Sequence, residues 1–137
     1  MNVAGTWKGT YAYDPATGWA PVEFGMELEA DRSGKIHGIV QDGAGGHPMP
    51  GRIDGRIGNG GALEFVKTMP ATLWMFPDGR SAEDRSRIQR ITYRGTFDGP
   101  NSLQGTWTVR GRVLWNGGSI VVTKTSHGTW RMWRVVP

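Results

Sequence analysis

Residues 22–29 read Val22-Glu23-Phe24-Gly25-Met26-Glu27-Leu28-Glu29. Successive side chains of a strand point to opposite faces, so this octet sets Val22, Phe24, Met26 and Leu28 against Glu23, Gly25, Glu27 and Glu29. A strand with one apolar and one wet face belongs to an antiparallel sheet that covers a core once. The same period of two extends in both directions. Upstream, Trp7, Gly9, Tyr11 and Tyr13 alternate with Thr6, Lys8, Thr10 and Ala12, and Asp14-Pro15-Ala16-Thr17-Gly18 is a turn by composition. Downstream, one face carries in turn Ile36, Gly38 and Val40; Ile53, Gly55 and Ile57; Leu63, Phe65, Lys67 and Met69. It continues through Ile91, Tyr93, Gly95 and Phe97, then Leu103, Gly105, Trp107 and Val109. The last strand, Gly128 to Val135, sets Gly128, Trp130, Met132 and Arg134 against Thr129, Arg131, Trp133 and Val135. Turns read at Asp31-Arg32-Ser33-Gly34, at Asp98-Gly99-Pro100-Asn101, and at Asn59-Gly60, the strongest two-residue hairpin signal of the chain.

These segments make eight strands, and no window of a dozen residues carries a helical stripe. Residues 70–87 and 111–127 break the rhythm, and the second stretch has room for another hairpin, so eight to ten strands are expected. The 137 residues suit one domain, 1–137. With no cysteine, neither disulfides nor thiolate chemistry can contribute. Most of the 22 glycines fall in turns or at the inward positions Gly9, Gly38, Gly55, Gly95, Gly105 and Gly128, where strands must bend sharply. Closure removes exposed edges, so the expected fold is all-β: a single antiparallel up-and-down barrel with little or no helix. The net charge of +4 comes from interleaved residues with no run of like sign longer than two, which argues against a nucleic-acid partner. No apolar run approaches a membrane span, and Met1-Asn2-Val3-Ala4 does not open a signal peptide, so no membrane insertion and a cytoplasmic location are expected.

Gly-Thr-aromatic occurs four times, as Gly5-Thr6-Trp7, Gly95-Thr96-Phe97, Gly105-Thr106-Trp107 and Gly128-Thr129-Trp130. The first copy opens the first strand, and Arg134 lies on the inward face of the last. This pairing resembles the calycin barrels: lipocalins, intracellular fatty-acid-binding proteins and avidins. The resemblance implies that Trp7 plugs one end of the barrel with Arg134 packed across it, a cation–π contact. It further implies a lipocalin-like protein that holds a small molecule inside. Only residues 14–20 separate Tyr13 from Pro21, too few for the two-helix lid of fatty-acid-binding proteins. The positions that grip biotin's ureido ring in avidins correspond to Gly9 and Tyr13.

Alternation turns Tyr11, Tyr13, Phe24, Met26, Phe65, Lys67, Tyr93 and Trp107 inward, and these are the candidate cavity residues for a small apolar or mixed-polarity ligand. Two readings stand for Lys67: a cation meeting an anionic or carbonyl-bearing ligand, or a side chain snorkelling at the rim. The tyrosine hydroxyls either orient a ligand or bond to core neighbours. His37, His47 and His127 are dispersed without metal-motif spacing, and no acid stands beside one in an evident site, so no metal and no cofactor are expected. Asp42-Gly43-Ala44-Gly45-Gly46 lacks the helix and Lys-Ser/Thr pair of a phosphate loop and reads as a loop. Trp19, Trp74, Trp115 and Trp133 fit loops or the outer face: gathered at one mouth they would form a stacking rim, whereas Trp133 suits a homo-oligomer interface. The leading function is a binding protein. The alternatives are a self-associating structural domain and an enzyme using Lys67 with a tyrosine, although no catalytic set is identified.

Overall fold

In the computed structural model, which describes residues 2–111, 113–116, 118–122 and 124–135, the alternating segments are strands and the sheet closes on itself. The strands are β1 (Gly5–Tyr13), β2 (Val22–Ala30), β3 (Lys35–Asp42), β4 (Gly51–Ile57), β5 (Ala62–Met69), β6 (Thr72–Met75), β7 (Ser81–Asp84), β8 (Gln89–Gly99), β9 (Ser102–Val109), β10 (Val113–Asn116), β11 (Ser119–Val122) and β12 (Ser126–Arg134). Eight of them form an antiparallel barrel in the order β1-β12-β9-β8-β5-β4-β3-β2, closed by β1 against β12 from Trp7↔Arg134 to Tyr13↔Gly128. No helix is long and apolar enough to cross a membrane.

The remaining strands form two hairpins, β6–β7 and β10–β11. The second fills the stretch where a hairpin was anticipated. The first was not anticipated, because Leu73-Trp74-Met75-Phe76 is continuously apolar and hides the strand period. Its tip is a turn in which the Phe76 N–H donates to Arg80 O at 2.9 Å and Gly79 takes φ 86°. A second correction concerns Asn59-Gly60. A two-residue loop of the favoured type needs positive φ at both residues. Here the positive φ falls on Gly61 (81°), while the Gly58 N–H donates to Ala62 O at 2.8 Å. The left-handed position has moved to a residue without a Cβ, where it costs nothing sterically.

The two ends of the barrel differ. At one end the connections 31–34, 58–61 and 100–101 are short. Here the Arg134 guanidinium stands 4.5 Å from the Trp7 ring centroid and donates to the carbonyls of Ala4 and Asn2 and to Asn101 Oδ1. Trp7 is fully buried and its indole N–H donates to Val3 O at 2.9 Å. All the longer connections, including both extra hairpins, leave from the opposite, open end.

Between the ends the interior is filled by rings lying over glycines. Gly95 and Gly105 face each other across β8 and β9, and a Cβ on Gly105 would overlap the Arg94 carbonyl oxygen and the Gly95 Cα. Trp130 packs against Gly95 and its indole N–H donates to Arg94 O (3.2 Å) and Thr106 O (3.0 Å). Trp107 packs likewise on Gly128 and donates to Ala12 O at 3.0 Å. In two of the copies, then, the glycine of the Gly-Thr-aromatic triplet receives a neighbour's ring. Because that space is backbone-walled, Gly105→Ala is expected to lower stability by about 3 kcal/mol through overpacking. Urea unfolding checks this, and a midpoint equal to the parent's would refute the close approach.

Candidate functional site

Asp42 closes β3 at the open end. By alternation it shares the inward face of Ile36 and Val40, and its side chain is wholly buried. The glycines that follow let the chain fold back over it: a Cβ on Gly46 would stand 2.6 Å from the Asp42 Cβ, and Gly45 takes φ 86°. Lys67, inward on β5, places Nζ 2.6 Å from Asp42 Oδ1 and 4.7 Å from the Tyr11 ring centroid. The other carboxylate oxygen, Oδ2, accepts from the His47 backbone N–H at 3.1 Å and from the Tyr11 hydroxyl at 3.3 Å, and lies 3.2 Å from His47 Nδ1. His47 reaches on across the mouth, with Nε2 2.6 Å from Gln89 Oε1 on β8. That same oxygen accepts from the Leu73 N–H at 3.2 Å, tying the β6–β7 hairpin into the network.

The electrostatics follow from burial and pairing. Burial alone would raise the Asp42 carboxyl, but the His47 hydrogen bond and the Lys67 charge outweigh it and hold the group at about 2. Burial draws Lys67 below its ordinary value, partly offset by Asp42. The phenols of Tyr11 and Tyr93 are pushed well up, by burial first and then by the Asp42 charge, and Tyr11 donates to Asp42 as a neutral phenol.

In front of this network lies a half-open cavity of about 270 Å³. Its walls include Tyr11, Tyr13, Trp19, Trp74, Tyr93 and Trp107, with His47 and Gln89 on one side and the Thr72–Met75 strand over it. The Trp19 ring meets Tyr13 edge-on at 5.2 Å, and Tyr13 meets Trp107 edge-on at 5.6 Å. The Trp19 indole N–H is buried and has no hydrogen-bond partner among the described residues.

Of the eight cavity residues expected from sequence, Tyr11, Tyr13, Tyr93 and Trp107 line this space. Phe24, Met26, Phe65 and Lys67 do not line it. Phe65 stacks on Tyr93 with centroids 4.8 Å apart, Phe24 lies against Tyr11 at 6.3 Å, and Met26 sits opposite Trp7 in the β1–β2 register. The rim reading of Lys67 is corrected: it has no exposed surface, because Asp42 supplies the counter-charge that permits full burial. The expectation that no acid stands beside a histidine is also overturned: His37 lies 2.9 Å from Glu29, His47 3.2 Å from Asp42 and His127 3.3 Å from Asp14. These acids come from neighbouring strands or turned-back loops, which sequence spacing does not display. Trp19 and Trp74 reach the mouth, whereas Trp133 stands 47% exposed on the outer wall, and the Trp115 side chain lies outside the described residues. Asp42, His47 and Gln89 were not anticipated. For Asp42 a signal existed, since an inward lysine demands a carboxylate and Asp42 continues the inward face of its strand. No family model matches the chain, and no curated protein or solved structure is significantly similar to it.

Two measurements probe the network. Asp42→Asn leaves Lys67 buried without its counter-charge and is expected to lower stability by about 3–5 kcal/mol, most of it recovered on adding Lys67→Met. An additive double variant would break the pairing. The folded-state carboxyl of Asp42 lies below the ordinary 3.8, so its contribution is whole above that pH and is lost as pH falls towards about 2. Acid titration of the unfolding midpoint should show this loss, about 2 kcal/mol, absent from the Asp42→Asn variant.

Proposed function

We propose that this protein is a calycin-like binding protein that holds a small planar molecule of mixed polarity in the open-end cavity. The observation that carries the reading is a cavity walled by six aromatic residues at one end of a barrel whose other end is filled. Aromatic walls with a few fixed polar groups are the usual makeup of a small-molecule site. The Trp7–Arg134 plug and the closed up-and-down barrel support the calycin comparison. A volume of about 270 Å³ is equivalent to roughly nine waters at about 30 Å³ each, which suits one or two rings. The ligand thus sits at the mouth and not at the level of Phe24, Met26 and Phe65.

The enzymatic alternative loses its proposed base, since the Lys67 amine is sealed against Asp42. Self-association rests on Trp133, which is flanked on the outer wall by Lys8 and Ser102 and so does not extend a continuous apolar patch. Light scattering decides that reading, and a clean monomer would dismiss it.

A titration with 2-naphthol, followed through the indole N–H signals of the seven tryptophans, tests the site. Saturable shifts with Kd of about 10–100 µM are expected, roughly half a kcal/mol per non-hydrogen atom. Trp74→Ala, a change on the β6–β7 hairpin outside the barrel wall, should weaken binding about tenfold by removing one aromatic wall. No saturable shift would overturn the reading.

A further inference from the structure

We infer that the molecule held at the open end is an anion: a small aromatic acid whose carboxylate, or a comparable anionic group, is met by Arg110 and Lys124. The inference rests on the binding reading above and assigns the charge of the ligand. Arg110 follows β9 and Lys124 precedes β12, so both stand at the base of the β10–β11 hairpin and both line the cavity. Neither enters an ion pair among the described residues, whereas at the same end Arg80 pairs with Asp78, Arg85 with Glu83 and Arg87 with Asp84.

Among the described residues the cavity lining contains no carboxylate. Asp42 lies behind Tyr11 and His47, and Lys67 cancels its charge. Asp14, at the same end, faces His127. Two unpaired cations at the rim of a concave, low-dielectric site, with no exposed acid within it, give a positive potential that concentrates anions.

Gln89 Oε1 accepts from the Leu73 N–H and lies 2.6 Å from His47 Nε2. The Trp19 indole N–H is buried and has no partner among the described residues. The site therefore offers two cations beside aromatic walls. Its volume of about 270 Å³ fits an aryl acid. The typical range for larger ligands begins at roughly 300 Å³.

Three probes of one shape separate the possibilities: 2-naphthoate, 2-naphthol and 2-naphthylmethylammonium, each titrated into the full chain at low salt and at 0.5 M salt. Naphthoate is expected to bind about tenfold more tightly than naphthol at low salt, with the advantage shrinking at high salt. The ammonium should bind most weakly. Arg110→Gln/Lys124→Gln should bring the naphthoate-to-naphthol ratio close to one, and the charge-preserving Arg110→Lys/Lys124→Arg should retain it. Naphthol binding as tightly as naphthoate, a preference for the ammonium, or an anion preference that survives the double glutamine variant overturns this inference and leaves the binding reading standing. Failure of all three probes to bind overturns both.

Discussion

Eight strands closed on themselves enclose too little width for large side chains to meet at the same level, and this constraint organises the molecule. The barrel meets it by exchange between neighbouring strands: where one strand sends a tryptophan inward, a partner presents hydrogen at the same place. Trp130 lies over Gly95 and Trp107 over Gly128, and a methyl group at either glycine would collide with ring or backbone. The indole N–H groups then bond to backbone carbonyls, Trp130 to those of Arg94 and Thr106 and Trp107 to that of Ala12. Buried polar groups on large rings are thereby satisfied without water. Closure, ring packing and polar satisfaction are one solution to one problem.

Filling the barrel this way leaves the two ends to diverge. The end with short connections is sealed by an arginine that lies across Trp7 and bonds to the chain just before β1. The long connections gather at the other end, where backbone can be added without disturbing the ladder. There the 43–50 connection folds over Asp42 and the β6–β7 hairpin is held by Gln89. The cavity is the space those connections leave in front of the last layer of tyrosines.

The barrel was legible because its strands cover a core on one side only, and a period of two shows that directly in residues 22–29, 62–69 and 91–97. The extra hairpin was not, because Leu73-Trp74-Met75 is continuously apolar and carries no period. Half of the candidate pocket was legible for the same reason as the strands. Alternation identifies which side chains point inward but not the depth at which each sits. Tyr11, Tyr13, Tyr93 and Trp107 lie near the mouth, while Phe24, Met26 and Phe65 face the same way deeper within the packed core. Depth depends on strand stagger around the barrel, which only the register supplies. His47 and Gln89, 42 positions apart in sequence, meet only because that register brings the end of β3 and the start of β8 to the same rim.

The buried charges give the open end its chemical character. A paired lysine and aspartate inside a barrel are no more stabilising than apolar residues of the same volume, because both ions leave water. What the pair confers here is position. Asp42 has four hydrogen-bonding neighbours in Lys67, Tyr11 and the backbone and ring of His47, and they fix the ring of His47 against Gln89. The Lys67, Tyr11 and His47 backbone contacts each use a carboxylate oxygen of Asp42. The carboxylate is consumed behind the wall, and the Gln89 carbonyl beside it accepts from the Leu73 N–H. Asp42 thus holds the 43–50 connection in place while Lys67 balances its charge, and neither side chain of the pair lines the cavity.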